Sequence, residues 1–255
     1  MNPLKKGKGG SKRKAIILLR QKNILRSSPV INPNVSVDCV LFGFDNEKLN
    51  VLLIEQKLSN REKRQYALPG DLILNDESLD TAANRVLKEI SGLEGIYLKQ
   101  FKTFGNPNRV KEVKDLDFLN SYRDQPQARV ITVAYLALVK MDEFAPEASH
   151  FADRVFWQDV DDMPPLAFDH NQIFAEALKK LRRDFIRDKT GFELLPERFT
   201  LGQVQKLYEI ILGKPLDKRN FRKKILKEEL VTATGEKQEG VLHKPALLYE
   251  RNTKD

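Results

Sequence analysis

The 255-residue chain has one cysteine, one tryptophan and three histidines. With Cys39 alone, a disulfide framework and a cysteine-based zinc site are excluded, and a reducing compartment is expected. No apolar run approaches the roughly 20 residues that a membrane helix needs. No secretory segment with a small-residue cleavage site is visible. Together these absences lead to the expectation of a soluble, cytoplasmic protein with no membrane partner. Acid is missing from the start of the chain: residues 1–28 hold nine Lys and Arg and no Asp or Glu.

Hydrophobic residues make up 41% of the chain, enough for a real core, which excludes global disorder. The length suits one or two domains. The net charge of +8 is uneven. Both ends are basic and residues 29–190, with 22 basic against 26 acidic residues, are mildly acidic. A polyanion partner therefore suits the ends. Residues 1–30 read as a basic, disordered, solvated tail, with a DNA- or membrane-touching arm as the alternative; Ala15–Leu25 has the pattern of a short amphipathic helix.

Alternating β-branched and apolar residues predict strands at Val35–Phe44 and Leu49–Glu55, joined at Asp45-Asn46. Ser59–Gln65 reads as loop, and Tyr66–Gly70 ends on a Pro-Gly breaker. Leu79–Ile90 has helical spacing and Gly92 stands where a C-terminal cap belongs. Strands follow at Tyr97–Phe104, Arg129–Val139 and Arg154–Trp157, with a short helix at Asp115–Tyr122 and a longer one at Asn171–Ile186. This mixture over 31–190 predicts an α+β fold, a mixed-sheet sandwich between helices. From Gly191 the pattern changes. Thr200 and Gln203 form a capping box for Thr200–Leu212, and Asp217 caps Lys218–Glu229. Leu230–Thr234, a turn at Gly235–Gly240 and Val241–Arg251 read as a hairpin. Helix, helix and hairpin, with a basic second helix, is the order of a winged helix-turn-helix over 191–255.

Gly70 to Leu93 reads GDLILNDESLDTAANRVLKEISGL. Gly70, Glu77, Arg85, Leu87, Glu89, Gly92 and Leu93 resemble the Nudix box, with one extra residue between Gly70 and Glu77. In that box three glutamates share one helix face and hold Mg²⁺ or Mn²⁺ at a pyrophosphate. The three positions here are Val86, Glu89 and Ile90. Two carboxylates are replaced by apolar side chains, so no metal cofactor is required; Glu77 and Glu89 are the only residual Mg²⁺ or Mn²⁺ ligands. The bland reading of Arg85 and Glu89 is an i,i+4 pair, and of Val86 and Ile90 core packing.

A degenerate box followed by a basic winged helix resembles the Nudix-related transcriptional regulators, which include repressors of NAD metabolism and arabinose-responsive regulators. The matching stretches are Phe104–Arg109, Ala128–Leu138, Leu166–Ile173, Gly191–Gly213 and Leu216–Leu226. RVLKEISGL (Arg85–Leu93) is closer to the sugar-responsive branch. Val110–Pro126 looks like an insertion near the effector pocket. The resemblance implies a catalytically silent Nudix sandwich, a homodimer, double-stranded operator DNA as partner, and a small effector, either a sugar or an ADP-ribose-like nucleotide. The effector candidates are Glu77, Arg85, Glu89, Phe104, Asn106, Arg109 and Arg129, with Asp169 and His170 nearby. Arg109 and Arg129 suit a diphosphate; Glu77, Asn106 and Phe104 suit a sugar. His170 reads as a structural residue at a helix start, and Trp157 as core.

A recognition helix places its first residues at base edges. Arg219, Asn220 and Lys223 are the base-reading candidates, since Arg pairs with guanine and Asn with adenine. Lys218, Arg222 and Lys224 suit phosphates, as do Lys237, His243 and Lys244 of the hairpin, while Phe221 and Ile225 belong to the core. The competing functions are a metal-dependent hydrolase of nucleoside diphosphate derivatives with an accessory winged helix, and a non-specific nucleic-acid module.

Overall fold

The structure, a computed structural model, describes residues 30–57, 64–111, 115, 119, 123–148, 152–188, 191–240, 242 and 244–252. The candidate tail helix Ala15–Leu25 and the hairpin residue His243 lie outside the described residues. Asp115 and Leu119, the described residues of the helix expected at Asp115–Tyr122, are both helical.

The first domain is a seven-stranded mixed sheet between two helices. Its elements in chain order are β1 (Ile31–Phe44), β2 (Leu49–Lys57), β3 (Arg64–Ala67), β4 (Gly70–Leu74), α1 (Leu79–Ser91), β5 (Lys99–Phe104), β6 (Ile131–Lys140), β7 (Arg154–Asp159) and α2 (His170–Asp188). Strand β1 is the hub. It runs parallel to β6 from Val35 to Phe44, antiparallel to β4 with Asp38 opposite Gly70, and antiparallel to β2 at its far end. Alternation along β1 sorts the two cores. Val37, Cys39 and Leu41 join the α1 cluster with Ala82, Ala83, Val86, Leu87 and Ile90. Val40, Phe42 and Phe44 join the α2 cluster with Ile173, Phe174, Ala177 and Leu181.

Ser78 caps α1 by accepting from the Thr81 N–H, and Gly92 ends it in the left-handed region at φ 72°. Val86 and Ile90, at 1% and 4% exposure, are core residues, each stabilising the fold by about 1.5–3 kcal/mol through burial.

The second domain contains β8 (Phe199–Thr200), α3 (Leu201–Leu212), α4 (Lys218–Lys227), β9 (Val231–Lys237) and β10 (Leu247–Arg251). The strands form a sheet in the order β8-β10-β9. The capping box closes in both directions at Thr200 and Gln203. Asp217 caps α4 by accepting from the Asn220 N–H at 2.8 Å. The α2 core runs on without a break into this domain, reaching Leu207, Phe221, Ile225 and Val231. Phe185 of α2 meets Tyr208 of α3 at 4.8 Å between ring centres, and Tyr208 meets Phe221 of α4 at 5.2 Å, both edge-on.

Several expectations are corrected. Arg64 and Gln65, expected in a loop, are strand residues of β3, paired with β2. The segment after Pro69 is strand β4, although its one-residue-long extra spacing carries no alternation signal. The hairpin turn expected at Gly235–Gly240 starts later, because Gly235 sits inside β9 with φ 82° and the strand continues to Lys237. The returning strand is shorter than Val241–Arg251 and begins at Leu247. Tyr97, expected in a strand, precedes β5 and is 84% exposed.

Candidate functional site

A cavity of about 320 Å³ opens where β1, β4 and α1 meet the start of α2. Its polar lining includes Ser36, Asp38, Asp71, Arg85, Glu89, Arg109, Arg123 and His170. Asp38 follows the parity of the α2 face of β1, so it points toward His170 and Arg109. Gly70 stands opposite it because only glycine fits: a Cβ there would fall 2.0 Å from Asp38 Oδ1.

Arg109 is buried. Its Nη2 donates to Asp38 Oδ2 at 3.2 Å and to Asp169 Oδ1 at 2.8 Å, and its Nε donates to Asp169 Oδ2 at 3.0 Å. His170 Nδ1 accepts from the Leu68 N–H at 3.0 Å, and Nε2 faces Asp38 Oδ1 at 3.5 Å. Burial pushes the Asp38 carboxyl up. His170, then Arg109 and Thr132, more than offset this and hold it well below the usual carboxylate range. Asp71 is shifted the other way, upward, chiefly by burial.

Arg85 is the second clamp. It donates to both Glu77 oxygens, to Glu89 Oε2 at 2.8 Å and to the Leu72 carbonyl at 3.1 Å. Glu77 Oε1 also accepts from the Leu74 N–H at 2.7 Å, closing the turn before α1. The Arg85 contact, against burial, holds the Glu77 carboxyl below its usual range.

Of the seven effector candidates, Arg85, Glu89 and Arg109 line this cavity. The other four do not line it. Glu77 is spent behind Arg85 as a structural partner. Phe104 is 6% exposed and packs in the core beside Phe101, so it offers no stacking face. Asn106 is exposed and closes a turn, accepting from the Asn108 N–H. Arg129 is exposed and donates to the Gly105 carbonyl at 3.3 Å. Sequence reasoning missed Asp38, Asp71 and Arg123. Asp38 carried a signal, a lone acid within an apolar strand run; Arg123 sits in the insertion and carried none.

The residues present do not fit the metal that a Nudix box implies. Val86 and Ile90 belong to the core, and Arg85 holds both Glu77 and Glu89. Among the described residues, no group of three His, Cys, Asp or Glu is placed to hold an ion.

On α4, Lys218, Arg219, Asn220, Lys223 and Lys224 are exposed, and so are Lys237 and Lys244 of the wing. Phe221 and Ile225 are buried, as expected. Helical spacing then sets Arg219, Lys223 and Lys227 in one row on the face opposite the core. Lys227 was missed, though the same 3.6-residue period selects it. Asn220 and Lys224 instead border an apolar hollow of about 300 Å³ with Ile186 and Tyr208. Arg222, the remaining phosphate candidate on α4, is half-buried and its Nε is enclosed.

This fold and its box helix define a class: the chain belongs to the NUDIX domain family, whose model matches residues 32–181. Residues 191–250 match the NrtR DNA-binding winged helix domain, so the chain joins a NUDIX domain to a winged helix of the NrtR type. An "ADPR responsive transcriptional repressor NtrR" of Acinetobacter baylyi is 29% identical over 222 residues, spanning 86% of this chain and 82% of the relative. The crystal structure of Shewanella oneidensis NrtR complexed with a 27mer DNA is similar with TM-score 0.58 and 28% identity, covering 86% of this chain and 93% of that one. An ADP-ribose pyrophosphatase of Methanocaldococcus jannaschii is 26% identical over 180 residues, 68% of this chain and 85% of the relative. No helix among the described residues is long and apolar enough to cross a membrane.

Proposed function

We propose that this chain is a ligand-responsive transcription regulator. Its NUDIX domain is a catalytically silent sensor of an ADP-ribose-like nucleotide, and its winged helix, paired in a homodimer, binds double-stranded operator DNA. One observation carries the reading. The box helix turns two of its three metal positions into core, Val86 and Ile90, while α4 turns Arg219, Lys223 and Lys227 toward solvent. A nucleotide is favoured over a neutral sugar because three guanidinium groups line the cavity and Phe104, the sugar platform, is buried. The Acinetobacter relative's name and the DNA-bound Shewanella relative support the same assignment.

The test is fluorescence anisotropy of the full chain on labelled DNA from upstream of its own gene, at near-physiological salt. Scrambled DNA is the control, and ADP-ribose, ribose and arabinose are the effectors. Preference for the native DNA, altered by ADP-ribose alone, is expected. Equal, weak, steeply salt-dependent binding to both DNAs overturns the regulator reading. A sugar response moves the effector to the other class. The pyrophosphatase relative supports a second assay: release of AMP from ADP-ribose with Mn²⁺ would refute catalytic silence.

A further inference from the structure

The three guanidinium groups of the cavity are not equivalent. Arg85 is committed to Glu77, Glu89 and the Leu72 carbonyl, and Arg109 to Asp38 and Asp169. Arg123 differs: its Nη1 is enclosed and donates to nothing. Burial lowers its pKa, and Asp71 and Asp38 offset this only through space; among the described residues neither forms an ion pair with it. An enclosed guanidinium donor without an acceptor is costly and rare in native proteins. Arg123 lines the cavity, and among the described residues it is the one guanidinium there with no side-chain hydrogen bond or ion pair to the protein.

Asp115 and Leu119, the described residues just before Arg123, are anchored in the fold. Asp115, fully buried, accepts from Gln65 Nε2 at 3.0 Å and from the Phe168 N–H at 3.1 Å. Phe168 lies at φ 55°, a region that costs a non-glycine residue about 1–2 kcal/mol, and it lines the cavity next to His170. Leu119 is fully buried, and its carbonyl accepts the Arg123 N–H at 2.8 Å. Asp115 thus ties to β3 and to the entry of α2, and Arg123 brings a further cation to the cavity lining.

Resting on the function proposed above, we infer that Arg123 binds a phosphoryl oxygen of the effector and so selects phosphorylated ligands over neutral sugars. Arg109 and Arg85 are positioning residues in this scheme, since both already hold carboxylates of the protein. A phosphoryl oxygen in the cavity supplies a charge-assisted acceptor for this guanidinium.

The experiment is isothermal titration calorimetry of the full chain and its Arg123→Gln and Arg123→Lys variants with ADP-ribose, inorganic pyrophosphate and ribose. Lys179→Gln, an exposed change on α2, controls for net charge. Arg123→Gln is expected to weaken ADP-ribose about ten- to hundredfold, with Arg123→Lys intermediate and Lys179→Gln unchanged. Equal ADP-ribose affinity in wild type and Arg123→Gln overturns the role of Arg123 and leaves the nucleotide-sensor reading standing. Arg123-dependent pyrophosphate binding without ADP-ribose binding supports Arg123 and overturns the ADP-ribose reading. Binding of neither anion to the wild type overturns both. A thermal melt of the ligand-free proteins separates binding from structure: relieving an unsatisfied cation leaves Tm unchanged or raises it in Arg123→Gln, and a clear fall in Tm would mark a structural residue instead.

Discussion

Replacing Arg109 with Met tests whether the cluster beneath the cavity is held together by charge. The substitution keeps most of the aliphatic volume and removes three charge-assisted hydrogen bonds, at 3.2, 2.8 and 3.0 Å, to Asp38 and Asp169. Asp38 stays buried and Asp169 partly buried, and His170 is left as the ion-pair partner of Asp38. Stranding a buried partner costs about 3–5 kcal/mol, which for a chain of this size lowers Tm by about 6–20 °C. Urea unfolding followed by circular dichroism reads the loss. The pH dependence has a definite sign. The folded Asp38 pKa is depressed, so its contribution is complete above the unfolded value near 3.9 and is lost as pH falls toward the folded value. Without Arg109 the buried Asp38 carboxyl shifts upward, and protonation relieves it. The gap between wild type and Arg109→Met therefore narrows from pH 7 to pH 4. Adding Asp38→Asn to Arg109→Met removes one stranded charge and recovers part of the loss, by a coupling of about 0.5–3 kcal/mol. A loss below about 1 kcal/mol at pH 7, or a gap that widens on acidification, would refute the reasoning.

Three further outcomes are expected. Gly191→Ala, at φ 99° and with its new Cβ 2.3 Å from the Phe185 ring, should destabilise by about 2–5 kcal/mol in urea unfolding, from left-handed strain and overpacking together; a neutral effect would show that the junction relaxes freely. Val86→Glu puts an unpaired carboxylate into the α1 core and should cost about 3–5 kcal/mol without conferring Mn²⁺-dependent hydrolysis; a stable, active variant would contradict the packing described for α1. Arg219→Ala and Lys223→Ala should each cost about 1–3 kcal/mol of preference for the native operator, while Lys227→Ala should weaken all DNA alike and reduce the salt slope by about one, as read by anisotropy titrations at several salt concentrations; unchanged affinity in all three would remove α4 from the interface.

Local physics made much of this fold legible. Alternation in Val35–Phe44, the Thr200–Gln203 capping box, Asp217 before α4 and Gly92 after α1 each act through neighbours in sequence, and each was readable there. Strand β4 was not, because its identity is set by pairing with β1 across the chain. The same distinction runs through the site. Arg85 and Glu89 are one helical turn apart, and their pairing followed from spacing. The meeting of Asp38, Arg109 and Asp169, residues separated by up to 131 positions, depends on tertiary structure. Arg129 and Asn106 had suitable chemistry, but their backbones direct them to the surface loop that they brace.

Helix α2 has 19 residues and is about 28 Å long at 1.5 Å per residue. Its first residue, His170, touches Asp38 in the cavity, and Phe185 near its end packs on Tyr208, which in turn packs on Phe221 of α4. Arg182 of the same helix donates to the Ile211 carbonyl at the end of α3. The hydrophobic wall of the winged helix is therefore furnished from upstream of the boundary at residue 191. A fragment cut at that boundary exposes Tyr208 and Phe221, and a chimera joined there mates two helices with a stranger's α2. A unit to be exchanged between relatives would therefore have to start before residue 170 and carry α2 with it.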